Sequence, residues 1–201
     1  DYPVITNGVD TTVFSPGSRT PRTDGDGTLR LIFAGRLREQ KGLDVLLRAL
    51  GALRDRLPRW KLTILGDGPL RQTYVDLVAG LGLQDHVEWH GWVAFDTLPQ
   101  LYRDHDIFVL SSRYEGMPSV VLQAMACGCA VLSTNVYGVD EILADGKAGF
   151  VVAVDDTEAL GEKLLEMAPR EKLSTMQLEA QKASMRFSWQ MIADQYEALY
   201  M

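Results

Sequence analysis

The side chains best suited to chemistry in this sequence include two cations, Arg36 and Lys41, in the segment GRLREQKG. This segment follows a short apolar run and precedes leucines at helical spacing, so both cations are predicted to lie where a strand ends. Cations at such a strand end can hold the negative charges of a diphosphate. Taken alone, each of them would be an ordinary solvated surface charge.

A carboxylate occupies a comparable position in the segment SSRYEGMPSVVLQAMACG, which covers residues 111–128. Glu115 precedes a helix predicted to begin at Pro118, and the first turn of a helix has unpaired N–H groups and a positive dipole end. The negative charge of Glu115 would therefore either interact favourably with the positive end of that dipole or accept hydrogen bonds from sugar hydroxyl groups. Gln123 follows eight residues later on the same helix.

The elements that must position these residues alternate between short apolar runs and longer amphipathic segments. The apolar runs predict strands at 29–34, 62–65, 87–89, 107–110, 130–133 and 149–152. The amphipathic segments predict helices at 42–57, 69–81, 118–127, 139–144, 155–167, 170–186 and 188–200. A further helix is predicted to be capped by Asp96, and Asp155 with Glu158 has the spacing of a capping box.

Strands too apolar to face water predict a doubly wound, Rossmann-like α/β fold, in which helices cover both faces of a parallel sheet. Ligands bind such sheets outside the carboxyl ends of the strands. The loops GRLREQKG, GDGP, HGWV and SSRYEGMPSV follow successive predicted strands and are expected to meet at that edge. Two cations, a helix N-terminus and a carboxylate together favour a phosphorylated ligand that carries a sugar.

Composition and charge disfavour several other classes of protein. The 201 residues are 46% hydrophobic, enough for one core, and the net charge of −7 disfavours binding to nucleic acid polymers and anionic membranes. No apolar run approaches the roughly 20 residues of a membrane span and no signal peptide is recognised, so a cytoplasmic protein is expected. Cys127 and Cys129 are interpreted as buried small residues, and the polar residues 17–28 as an exposed loop.

A metal site and a dinucleotide site are also disfavoured. His90 has no second His or Cys at ligand spacing, and His86 and His105 are interpreted as surface residues, so no metal ligands are predicted. The segment GDGPLR lacks the third glycine of a G-x-G-x-x-G fingerprint and does not follow the first strand. It is interpreted as a tight turn between a strand and a helix, which disfavours a dehydrogenase.

An ordered set of segments runs through nearly the whole chain: NGVD at 7–10, FAGRLREQKG at 33–42, LTILGDGPLR at 62–71, VEWHGWV at 87–93, RYEGMPSVVLQAMACGCAVL at 113–132, GVDEIL at 138–143, GFVV at 149–152 and FSWQMIADQYEALY at 187–200. Together they resemble the C-terminal, donor-binding domain of retaining glycosyltransferases of family 4, the "glycosyl transferases group 1" domain. That resemblance implies one half of a GT-B architecture, with residues 1–201 forming a single nucleotide-sugar donor-binding domain.

The resemblance implies roles for the charged candidates. Arg36 and Lys41, beside Gly35, correspond to the residues that hold the donor diphosphate. Glu115 corresponds to the first acid of the family's E-x7-E motif, which contacts the transferred sugar. Metal independence is implied as well, because the two cations stabilise the charge that develops on the departing nucleoside diphosphate. No cofactor is expected.

The resemblance implies backbone contacts to the donor from two further loops. Trp92 and Val93 belong to the loop that reads the nucleobase. The loop and helix start that meet sugar and phosphate correspond to Gly116, Met117, Pro118, Ser119 and Val120. Gln123 stands where a second acid contacts the ribose hydroxyls. An amide has one acceptor oxygen where a carboxylate has two, so we expect a loss of ~1 kcal/mol in binding.

Such enzymes have two Rossmann-like domains, and the resemblance covers only one. It implies that residues 1–28 form an N-terminal segment and loop, that 187–201 form a helix crossing back to the other domain, and that the acceptor site lies on an absent N-terminal domain. The fragment is expected to bind nucleoside diphosphates without turnover and to expose apolar surface that drives self-association. A nucleotide-sugar epimerase and a non-catalytic nucleotide-binding module are the alternatives. Nucleobase, sugar and acceptor are not encoded in the side-chain spacing.

Overall fold

The computed structural model of the chain describes residues 6–17, 27–143 and 146–200. Its strands are β1 Leu29–Ala34, β2 Trp60–Leu65, β3 Val87–Gly91, β4 Ile107–Leu110, β5 Ala130–Thr134 and β6 Gly149–Val152. Its α-helices are α1 Leu43–Leu53, α2 Arg71–Gly80, α3 Leu98–Arg103, α4 Ser119–Ala126, α5 Val139–Ile142, α6 Thr157–Met167, α7 Arg170–Ser184 and α8 Trp189–Tyr200. All strand pairs are parallel, in the order β3-β2-β1-β4-β5-β6. The predicted doubly wound, Rossmann-like fold is confirmed.

Alternating side chains of the central strands supply two separate cores, because successive residues of a strand point to opposite faces. On β1, Leu31 and Phe33 join a core with α1, α2 and α6, whereas Ile32 joins a second core with α3, α4 and α5. On β4, Val109 and Phe108 divide in the same way. A strand buried on both sides is uniformly apolar, which is why these strands are recognisable as short runs without polar alternation.

The order of the strands reverses direction between β1 and β4. From β1 the chain builds outward through β2 and β3, and it then returns to place β4 on the other side of β1. The loops that follow β1 and β4 therefore diverge from one point at the carboxyl edge of the sheet, where open α/β sheets form ligand crevices.

The predicted strands match the structure closely, and three of them, 29–34, 107–110 and 149–152, have the observed bounds. The predicted helices are generally too long. The segment 42–57 is helical only over Leu43–Leu53, although Leu57 remains buried, and the segment 69–81 is helical over Arg71–Gly80. The hydrophobic spacing continues into the turns after a helix and so overestimates its length.

Two predicted helix caps are wrong. Asp96 lies inside a 3₁₀ turn, Phe95–Thr97, and caps no helix, since α3 begins after Thr97. The helix α6 is capped by Asp156, whose Oδ1 accepts a hydrogen bond from the Ala159 amide at 2.9 Å, and not by Asp155. Aspartate is a favoured N-cap residue at either of these adjacent positions, and the backbone conformation decides between them. The capping-box spacing therefore pointed to the wrong aspartate, because Asp156 has Ala159 and not an acid three residues later.

Predictions for buried and exposed residues have mixed outcomes. Cys127 and Cys129 are buried free cysteines, as predicted. The surface interpretation of His105 is wrong: its side chain is 7% exposed and its Nε2 lies 2.7 Å from Thr63 Oγ1. Most of the predicted loop 17–28 lies outside the described residues.

The segment around Val9 contacts the start of α8. The Val9 amide donates to Phe187 O at 2.7 Å, and the Trp189 amide donates to Val9 O at 3.1 Å. Ile192 is buried, whereas Trp189 and Tyr196 on the same helix are about half exposed. None of the helices in the described ranges is long and apolar enough to cross a bilayer.

Candidate functional site

Two glycines allow the loops at the β1–β4 junction to approach each other closely. Gly42 has φ +59°, and a Cβ atom there would lie 1.9 Å from Ser111 O. Gly66 has φ +116°, and a Cβ atom there would lie 2.0 Å from Gly35 O. Both positions require glycine because of backbone conformation and space. The loops after β1, β2 and β4 are therefore in backbone contact.

Lys41 and Glu115, 74 residues apart, form an ion pair at this junction. Lys41 Nζ lies 2.7 Å from Glu115 Oε1, and Ser112 Oγ donates to the same oxygen at 2.6 Å. The two side chains are 20% and 10% exposed. Glu115 Oε2 and two of the three N–H donors of Lys41 have no partner in the described part of the chain. The pair can therefore contact a ligand without being broken.

Arg36 is exposed, and its guanidinium forms no hydrogen bond or ion pair with any described residue. It lines a cleft of about 410 Å³ whose walls are Ala34, Gly35, Arg36, Leu65, Gly66, Asp67, Trp92, Val93, Leu98, Tyr102 and Val120. The aliphatic part of the Lys41 side chain lies against Gly35 at the edge of this cleft. A Cβ atom on Gly35 would be 3.4 Å from Lys41 Cγ and Cδ. The cleft thus combines an unpaired cation with a largely apolar wall.

The cleft also contains Trp92, which is 80% exposed. An indole with so much exposed surface on one wall of an apolar cleft is suited to stacking against a planar ligand. Val93 and Val120 lie in the same cleft, and Asp67 contributes a carboxylate whose Oδ1 accepts from the Gly68 amide at 2.7 Å. No role for Asp67 was predicted from the sequence, because the segment GDGP was interpreted only as a tight turn.

The start of α4 faces the same edge. Pro118 precedes its first residue, Ser119, and no side chain caps this end. Apart from its chain neighbours, no described residue lies within 4 Å of where a Cβ atom on Gly116 would be, so the backbone there is open. The Gln123 side chain is half-buried and makes no hydrogen bond within the described ranges.

Met117 is held by the segment that precedes β1. The Asn7 amide lies 3.0 Å from Met117 Sδ, and Asn7 Nδ2 lies 3.4 Å from Met117 O. Gly138 also packs against Met117, and a Cβ atom there would lie 3.2 Å from Met117 Cγ. Neither contact has a signal in sequence spacing, although Asn7 belongs to the segment NGVD at 7–10.

Two ionisable side chains that contact the segment 38–44 have raised pKa values. A hydrogen bond to Asp44 is the main cause that raises the pKa of the Arg113 guanidinium. Burial, followed by the charge of Asp44, raises the pKa of Tyr74 to about 12. Tyr74 therefore stays neutral, and its hydroxyl donates to Arg38 O at 3.3 Å. Arg113 and Ser112 were not among the residues predicted from the sequence, since their spacing matches no motif of side chains.

The structure thus groups the predicted residues into two neighbouring sets. Gly35, Arg36, Trp92, Val93 and Val120 line the cleft, whereas Lys41 and Glu115 form the ion pair beside it. A larger cavity of about 750 Å³, near the start of β6 and the end of α6, contains none of the predicted residues. Among the described residues, no group of three His, Cys, Asp or Glu side chains is placed to hold a metal ion.

The fold is that of a Rossmann-like domain of the type found in GT-B glycosyltransferases. The chain aligns with a sucrose-phosphate synthase from Thermosynechococcus elongatus with a TM-score of 0.84 and 24% identity, over 98% of this chain and 51% of the other. It aligns with HepE from Anabaena, solved in complex with UDP and glucose, with a TM-score of 0.82 and 26% identity, over 98% and 56% of the two chains.

The chain belongs to the family described as "Glycosyl transferases group 1", whose sequence profile matches residues 20–183. It is 34% identical to a GDP-mannose-dependent α-(1-6)-phosphatidylinositol monomannoside mannosyltransferase from Mycolicibacterium smegmatis, over 76% of this chain and 43% of the relative. It is 32% identical to a D-inositol 3-phosphate glycosyltransferase from Saccharomonospora viridis, over 98% and 49% of the two chains. The chain thus spans less than half the length of these relatives.

Proposed function

We propose that this chain binds the nucleoside-diphosphate sugar donor of a retaining, metal-independent glycosyltransferase. The carrying observation is the unpaired Arg36 guanidinium in a cleft beside the Lys41–Glu115 ion pair of the described structure. A cation next to a carboxylate with a free oxygen suits a ligand that joins a charged diphosphate to a hydroxyl-rich sugar. The family match favours a transferase over the epimerase alternative.

In this proposal Arg36 and Lys41 hold the diphosphate, and their charges stabilise the departing nucleoside diphosphate without a metal ion. Lys41 keeps its hydrogen bond to Glu115 while its two remaining N–H donors face a phosphate. Glu115 Oε2 accepts from a sugar hydroxyl. The amides at the start of α4, near Gly116 and Ser119, add a positive dipole end.

Trp92 provides the surface on which the nucleobase stacks, and the backbone at Val93 reads its edge. The nucleobase itself stays open. HepE was solved with UDP, whereas the mannosyltransferase relative depends on GDP-mannose. Both nucleotides, with ADP for comparison, therefore belong in the binding experiment.

The proposal places the acceptor on an N-terminal domain outside this chain. The chain aligns with less than half the length of each of these two relatives, which leaves room for such a domain in those proteins. The half-exposed Trp189, Tyr196 and Leu199 on α8 form an apolar surface that we assign to contact with it. Self-association of the fragment through this surface stays a prediction, which light scattering over a range of concentrations can check.

Calorimetry with UDP, GDP and ADP tests the proposal directly. We expect at least one nucleotide to bind and Arg36→Ala to weaken that binding by about 10- to 100-fold, because charged hydrogen bonds contribute about 1.5–3 kcal/mol. Arg59→Ala, which removes an exposed arginine next to the amino end of β2, serves as the matched control. No binding, or binding indifferent to Arg36, would contradict the proposal, and sugar transfer by the fragment alone would contradict its dependence on a second domain.

A second candidate function, a non-catalytic nucleotide-binding module, is favoured by the amide at Gln123. If this position contacts ribose, Gln123→Glu is expected to tighten nucleotide binding by about 5-fold, because a carboxylate accepts from both hydroxyls. Gln181→Glu on α7 adds the same charge away from the cleft and controls for net charge. Unchanged or weaker binding in Gln123→Glu would show that the ribose contact has been abandoned and would favour the module.

A further inference from the structure

Arg113 lies in the loop between β4 and α4, two residues before Glu115, and has no part in the proposed function so far. Its guanidinium contacts three separate segments of the chain. Nη1 and Nη2 bind the carboxylate of Asp44 at 3.1 and 2.8 Å, Nε lies 2.8 Å from Asp155 Oδ1, and Nη1 also donates to Glu39 O at 2.5 Å. The side chain of Arg113 is 29% exposed.

These contacts use four of the five N–H donations that a guanidinium can make. An arginine so fully engaged with protein acceptors has little capacity left for a ligand phosphate. Arg36, which lies in the cleft and is unpaired among the described residues, has the opposite arrangement. Arg113 therefore acts on the protein around it and not on the ligand.

The contacts of Arg113 connect the two segments that carry the ion pair. Its side chain binds Glu39 O, and its backbone amide donates to Gln40 O at 2.7 Å. In return, Gln40 Nε2 donates to Tyr114 O at 3.1 Å. The short 3₁₀ turn Glu39–Lys41 is thus attached on both sides to the loop that leads into Glu115.

The other two partners of Arg113 anchor this connection to the body of the domain. Asp44 is in the first turn of α1 and binds Arg113 with both carboxylate oxygens, a geometry that fixes the orientation of the guanidinium. Asp155 follows β6 and has φ +60°, a left-handed conformation unusual for a residue other than glycine. Arg113 therefore holds the loops after β1, β4 and β6 in one arrangement.

We propose that Arg113 is a positioning residue that fixes the Lys41 ammonium and the Glu115 carboxylate in the relative placement that a diphosphate sugar requires. The inference rests on the proposed function of that pair. In catalysis a misplacement of about 1 Å can cost about 100-fold in rate, so one anchor that places both charges matters for a site that must hold a reacting ligand. A lysine at this position keeps the charge but cannot bind Asp44 in the same planar, two-pronged geometry.

Arg113→Lys is the informative change, with Arg54→Lys, which alters an exposed arginine paired with Asp55, as the matched control. We expect Arg113→Lys to weaken nucleoside-diphosphate binding by about 10-fold in calorimetry and the control to bind as the wild type does. We also expect Lys41→Met to weaken binding about 3-fold less in the Arg113→Lys background than in the wild-type chain, because a misplaced Lys41 contributes less.

Amide hydrogen exchange provides a second measurement that needs no nucleotide. The amides of Lys41 and Gly42 donate to Arg38 O and Glu39 O at 3.0 and 3.1 Å. Their exchange is expected to accelerate about 10-fold in Arg113→Lys and not in Arg54→Lys, because local opening exposes them. If the wild-type chain binds no nucleotide, the proposed function fails. The exchange rates would still show whether Arg113 holds the turn Glu39–Lys41 in place. The positioning role would be overturned if the amides of Lys41 and Gly42 exchange in Arg113→Lys at the wild-type rate and if Lys41→Met weakens binding as much in that variant as in the wild-type chain.

Discussion

Replacing Gly42 with alanine is expected to destabilise the chain by about 3 kcal/mol or more. Gly42 has φ +59° between the turn that carries Lys41 and the first residue of α1, and it is buried. A methyl group there would need a left-handed backbone and would overlap Ser111 O, 1.9 Å away. Since the loop after β4 must move to relieve that overlap, nucleotide binding should weaken together with stability. Urea unfolding and calorimetry measure the two effects.

Gly80→Ala provides the control for the same change in residue type. Gly80 is the last residue of α2 and is exposed, and a methyl group there would lie more than 4 Å from every described residue outside its own helix turn. Alanine there is expected to stabilise the chain by ~0.5–1 kcal/mol, because glycine loses more conformational freedom on folding. Equal unfolding midpoints for the two variants would show that the loop after β4 yields freely and that Gly42 is not a structural requirement.

Changing the two members of the Lys41–Glu115 pair should produce opposite patterns of ligand binding. Lys41→Met is expected to weaken nucleoside-diphosphate binding by about 10- to 100-fold, because a charged donor to phosphate is lost. Glu115→Gln is expected to leave that affinity within about 3-fold, since Glu115 is assigned to the sugar, and to remove the added affinity that the sugar of the intact donor provides. Calorimetry with the diphosphate and with its sugar conjugate separates the two results.

Stability measurements on the same variants test the pair itself. Lys41→Met leaves the Glu115 carboxylate, 10% exposed, with Ser112 as its remaining partner in the described structure, and is expected to cost ~1–2 kcal/mol. The double variant should cost less than the sum of the single variants by ~1 kcal/mol. Additive losses would mean that the 2.7 Å contact contributes nothing to folding.

The strands were predictable because burial on both faces imposes a simple pattern. Leu29–Ala34 and Ile107–Leu110 are short, continuous apolar runs, and a buried parallel strand has few other solutions. Helix ends were less predictable because they depend on backbone conformation at single residues. Asp155 adopts φ +60° and pairs with Arg113, which leaves Asp156 to cap α6.

The candidate site was predictable only at the level of loops. Parallel topology places the segments after β1 and β4 at one edge, so Arg36, Lys41 and Glu115 could be grouped without a structure. Their arrangement was not predictable, because Lys41 contacts Glu115 directly whereas Arg36 stays unpaired among the described residues. Such differences depend on side-chain reach and on glycines such as Gly42 that let two loops touch.

The pairing of β1 with β4 has a consequence for how the chain reaches its native state. Their register includes two residue pairs, Leu31 with Ile107 and Ile32 with Phe108, whereas β1 and β2 are matched over six. It also joins the neighbouring strands that are farthest apart in sequence, which makes it the pairing with the largest loop-closure entropy. Arg36 and Lys41 follow β1, whereas Glu115 follows β4. Neither half of the sheet alone therefore contains the complete site. A ligand that contacts all three residues would bind only the folded chain and would stabilise the pairing of β1 with β4, which has only two residue pairs.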